Sequence, residues 1–69
     1  MNRLEKALKL FDRTANDELL IHYLRTSSLD RVLDDTVALD IGVTYEDVMS
    51  LSVYALADLI VDSYNERGE

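Results

Sequence analysis

Cysteine, proline and tryptophan are absent from this 69-residue chain, and glycine occurs only twice. Without cysteine there are no disulfides and no thiolate metal sites, and nothing speaks against a reducing, cytoplasmic setting. Without proline, and with so little glycine, few positions force a helix to stop. That favours helices joined by short connections. A long hydrophobic run is missing as well. The richest stretch, Val48 to Val61, is interrupted by Ser50, Ser52 and Asp58. It is too short and too polar to span a bilayer, which takes about 20 apolar residues. The N-terminal MNRLEKALKLF is amphipathic and broken by charge, unlike a secretory signal peptide.

Positive charge is scarce beyond the first third. Fourteen acids against seven bases give a net charge of −7. Met1 to Arg25 is nearly neutral, because Arg3, Lys6, Lys9, Arg13 and Arg25 stand against four acids. From Thr26 to Glu66, Arg31 alone opposes nine acids. Such a balance argues against nucleic acid as a partner, because phosphate affinity depends on neutralisation by Lys and Arg. It keeps a small apolar protein in solution, and it also offers a negative face to a basic partner.

What is present reads as helix. Leu4, Ala7, Leu8 and Phe11 recur at i, i+3, i+4 and i+7, with an end expected near Asp12 or Arg13. Asn16 is expected to cap a second helix, which turns Leu19, Leu20, Tyr23 and Leu24 inward and leaves Ile21 to one side. Ser28 is expected to cap a third helix, Leu29 to Ile41, with Leu29, Val32, Leu33, Val37 and Ile41 inward and Asp30, Asp34 and Asp35 outward. Gly42 would close it in a left-handed conformation. Thr44, accepting from the amide of Asp47, would cap a fourth helix from Tyr45 to about Asn65. Along that helix Met49, Val53, Leu56, Ile60 and Tyr64 form one stripe, and Val48, Ala55 and Leu59 another. The expected fold is an all-α, compact bundle of about four helices. It forms a single domain over 1–69, with a frayed tail at 66–69 and a helix-turn-helix-like pair at 29–65.

The spacing of Val37, Ala38, Ile41, Val43, Val48 and Leu51 around Gly42 resembles the helix-turn-helix of small bacterial and phage regulators. In that class the second helix enters the major groove and reads DNA with basic and amide side chains. Here the corresponding positions hold Thr44, Tyr45, Glu46, Asp47, Ser50 and Ser52, none of them basic. The resemblance therefore covers the packing positions and not the contact chemistry, which turns the expectation from DNA toward protein. A second stretch is similar to an acyl carrier protein: Ser28-Leu29-Asp30 with Val32, then Asp47-Val48 and Leu51-Ser52-Val53. That resemblance implies a phosphopantetheine arm on Ser28. The chain departs from it in having Ser27 where the family has aspartate, and in lacking the preceding turn glycine.

Catalytic chemistry finds no support. His22 is the one histidine and sits near Glu18 at i−4; as a general base it would need a nucleophile or a second carboxylate in reach. Asp34 and Asp35 are adjacent on a helix and diverge by about 100°. No phosphate loop, calcium loop or zinc spacing occurs. The expectation is a small acidic protein-protein interaction module, an adaptor or inhibitor in the cytoplasm, with no enzymatic activity, cofactor or metal. Its partner would be a protein, with a basic one fitting best. Tyr45, Glu46, Met49, Tyr54 and Asp58 are the candidate partner-binding residues. The wide apolar girth of the fourth helix points to a homodimer.

Overall fold

The computed structural model describes residues 2–67, and these form five helices with no strand among them. The first, α1 (Arg3–Thr14), starts where the Asn2 side chain accepts from the Glu5 amide at 2.7 Å. It buries Leu4, Ala7 and Leu8, and ends one turn-residue beyond expectation, at a left-handed Ala15 with φ 56°.

The second, α2 (Glu18–Thr26), has Asp17 and not the expected Asn16 at its cap position; the Asn16 side chain, one residue earlier, accepts from the Glu18 amide at 2.8 Å. Its buried residues are Leu20, Ile21, Tyr23 and Leu24. The expected face is corrected here: Leu19 is exposed and Ile21 is buried. The cause is that α2 lies between two neighbours, α1 and α5, and must serve both. An arc wide enough for two contacts takes in Ile21, and Leu19 falls outside it.

Ser28 caps α3 (Leu29–Ala38) by accepting from the Arg31 amide at 3.2 Å. Three expectations fail in this helix. It stops three residues short of Ile41, Val37 points to solvent at 73% exposure, and Asp35 is buried rather than outward. Its end is a Schellman motif: the Ile41 amide donates to Thr36 at 2.8 Å and the Asp40 amide to Val37 at 3.0 Å. The left-handed residue in that motif is Asp40, with φ 58°, and not Gly42. Ile41 and Thr36 are both buried, so this end of the helix sits against the core.

A β-branched residue at Asp40 would be strained, because its Cβ crowds the backbone at positive φ. Asp40→Val is therefore expected to cost about 1 kcal/mol or more. Gly42 has an ordinary φ, and a Cβ there meets nothing within 4 Å. Gly42→Val should leave the melting temperature nearly unchanged. Thermal melts of the two variants, side by side, check both.

The expected fourth helix is two. Thr44 and Asp47 form a reciprocal capping box, Oγ1 accepting at 3.1 Å and the carboxylate at 3.2 Å, at the head of α4 (Tyr45–Ser50). Leu51 is extended, and the Ser52 hydroxyl then accepts from the Ala55 amide at 3.2 Å. That bond starts α5 (Val53–Arg67) afresh, two residues past the expected end at Asn65. Gly68 and Glu69 of the expected frayed tail lie outside the described residues. The core joins Leu4, Leu8, Leu20, Tyr23, Val32, Ile41, Leu56 and Ile60, so every helix except α4 contributes a buried residue.

Candidate functional site

The five candidate residues lie on α4 and α5, and all five are exposed. Tyr45 and Met49 stand one turn apart on α4, at 54% and 61% exposure, with Glu46 beside them. Such spacing brings side chains to one face of a helix. Tyr54 and Asp58 have the same spacing on α5. The break at Leu51 and Ser52 means that the two pairs sit on separate helices rather than along one stripe.

Met49 and Ala55, expected in the apolar stripes, are exposed. Leu56, Ala57 and Ile60 are buried, while Val53, Leu59 and Tyr64 are half-buried against the core. The apolar girth that suggested a dimer is therefore largely internal on α5. What stays in water is the α4 side, where Met49, Tyr45 and Leu51 remain exposed.

Tyr54 is held from below. Its hydroxyl accepts from Arg25 Nη2 at 2.8 Å, and the Arg25 guanidinium lies 5.6 Å from the ring centroid. The pair ties α2 to α5 and keeps the ring in place against a cleft that Asp17, Glu18, Ile21 and His22 also line. His22 is exposed, and among the described residues no group of three or more His, Cys, Asp or Glu could hold a metal ion.

A polar pair missed by the sequence reading lies inside. The Tyr23 hydroxyl donates to Asp35 Oδ2 at 2.5 Å, with both residues buried. Burial first, and then the hydrogen bond to the neighbouring carboxylate and its charge, push the Tyr23 hydroxyl far above its ordinary range. Arg31 and Arg3 act against that rise. The signal was present in the periodicity, because Val32, Asp35 and Leu39 fall on one side of a helix. A tyrosine on a core face also needs a partner for its hydroxyl. Nearby, the Ser27 hydroxyl is buried without a hydrogen-bond partner among the described residues. It borders an apolar cleft lined by Leu24, Val32, Val48 and Leu51.

Ser28, the residue singled out by the carrier-protein resemblance, is exposed at the head of α3, with its hydroxyl engaged as the cap. No helix among the described residues is long and apolar enough to cross a membrane. Compared with known proteins, the chain matches no family model, no curated protein and no solved structure.

Proposed function

We propose that the chain is a small acidic, non-enzymatic interaction module, acting in the cytoplasm as an adaptor or inhibitor of a protein partner. Tyr45, Glu46, Met49, Tyr54 and Asp58 form its contact face, and the same face pairs two copies into a homodimer. The observation that supports this most is the exposure of Tyr45 and Met49 at 54% and 61% beside Glu46. Between Arg31 and Arg67 there is no Lys or Arg to balance the acids around them. Tyrosine and methionine are enriched at the centres of protein interfaces, and large apolar side chains left in water on a small domain mark such surfaces. The acids nearby suit a basic partner and discourage phosphate.

The helix-turn-helix alternative would set α4 in the major groove. Its six residues carry Glu46 and Asp47 in the first turn, where phosphates would lie. The test runs both ways. Sedimentation at micromolar concentration is expected to show a dimer for the natural chain and a monomer for Met49→Lys, with equal helicity. A titration with random duplex at low salt is expected to show no binding. A monomer at all concentrations removes the homodimer, and micromolar duplex binding overturns the protein-partner reading.

A further inference from the structure

The bases of the first third are not scattered. Positions 3, 6, 10 and 13 are spaced by three, four and three residues, which sets them along one flank of α1. They hold Arg3, Lys6, Leu10 and Arg13, with Lys9 beside them, and all five are exposed. Leu19, on α2, faces the same flank. Three adjoining depressions of the surface all share Leu19. One is bounded by Arg3 and Lys6, the next by Lys6, Lys9, Leu10 and Arg13, and the last runs from Leu10 to Glu18. Leu10 and Leu19 are 36% and 41% exposed. Together they make one shallow strip with an apolar floor and a rim that is basic except at the Glu18 end.

We propose that this strip is a second docking surface, which takes an acidic amphipathic helix from a protein partner. Charge complementarity selects the occupant. Four of the seven bases of the chain, Arg3, Lys6, Lys9 and Arg13, rim this strip in a molecule of net charge −7. A helix carrying leucines on one stripe and carboxylates on either side of it would bury Leu10 and Leu19 and meet the rim charges. The strip runs from Arg3 to Arg13 along α1, about 15 Å, and so accommodates roughly three turns of such a helix. A flat anionic bilayer fits less well, because the two leucines lie in depressions and a plane touches only the rim. Nucleic acid meets the long-range repulsion of the acidic remainder of the chain. The occupant is thus opposite in sign to the partner suited by the Tyr45 and Met49 face, and the proposal stands independently of that face.

The probe is a labelled helical peptide of about 14 residues, with leucines at three-four-three spacing and glutamates flanking them. A second peptide has lysines in place of the glutamates. Fluorescence anisotropy with the full chain at low salt is expected to show the glutamate peptide binding roughly ten-fold tighter or more than the lysine peptide. Added salt should weaken that binding. Leu19→Ser and the pair Lys6→Glu, Lys9→Glu should each lose roughly ten-fold or more, while Val37→Ser, on the exposed side of α3, keeps the affinity. Circular dichroism of each variant confirms the fold. Absence of binding by the glutamate peptide, equal affinity for the two peptides, or undiminished binding by both strip variants would overturn the proposal. So would tighter binding, at the same salt, to phosphatidylserine vesicles or to duplex DNA.

Discussion

Ile60→Ala should lower the melting temperature by about 10–30 °C, the largest effect of any single truncation on α5. Ile60 is 0% exposed and, with Leu56 and Ala57, fixes α5 in the core beside α2. Truncation loses the burial of its outer carbons and leaves a cavity, a combination that costs roughly 2–5 kcal/mol. A chain of this size has a total stability of roughly 3–10 kcal/mol, so the loss is a large share of the whole. Met49→Ala, on the exposed side of α4, should change the stability of the monomer, at concentrations too low for dimerisation, by less than about 0.5 kcal/mol. Thermal melts followed by circular dichroism separate the two. A small shift for Ile60→Ala would mean that α5 is not anchored through this face.

The contrast between Ile60 and Met49 also measures how far the sequence could be read. Both fit one stripe of a single long helix, because residues 49, 53, 56 and 60 keep a helical period across the break. Periodicity alone does not register an interruption that preserves phase. The signal that did exist was Ser52, a capping residue with no acid three positions later to complete a box. By contrast, Thr44 with Asp47 and Ser28 ahead of Arg31 were legible, and both caps stand as expected. The end of α3 was misassigned for a different reason. Gly42 drew the left-handed position to itself, whereas the bond from the Ile41 amide to the Thr36 carbonyl sets the turn two residues earlier, at Asp40.

The exposure of Tyr45 and Tyr54 was legible, because Glu46, Asp47 and Asp58 stand near them along the chain. The α1 and α2 strip was not, because Leu19 looks like a core residue until α2 is seen to pack on two sides. The two surfaces divide the molecule by charge. Bases and leucines lie on the α1 and α2 flank, and acids with Tyr45 and Met49 on α4.

Beneath the charged surfaces lies the pair on which the second large effect rests. Tyr23→Phe should cost about 2–3 kcal/mol at neutral pH, because it strips the hydroxyl donor from a buried carboxylate. The pair also makes stability depend on pH in the alkaline range. Burial and Asp35 raise the folded-state pKa of Tyr23 above its unfolded value of about 10. A raised pKa gives a contribution that is fully present below pH about 10 and is lost as pH climbs toward the folded value. Above pH about 10 the unfolded chain releases a proton that the folded chain keeps, and stability falls by roughly 1.4 kcal/mol per pH unit from this group. Urea melts at pH about 8 and about 11 should therefore show a loss in the natural chain that shrinks in Tyr23→Phe. Asp35→Asn, which keeps an acceptor but removes the charge, should retain part of the alkaline loss, because burial is its leading cause. An equally steep loss in Tyr23→Phe would assign the alkaline sensitivity to other groups and leave the buried pair a matter of packing.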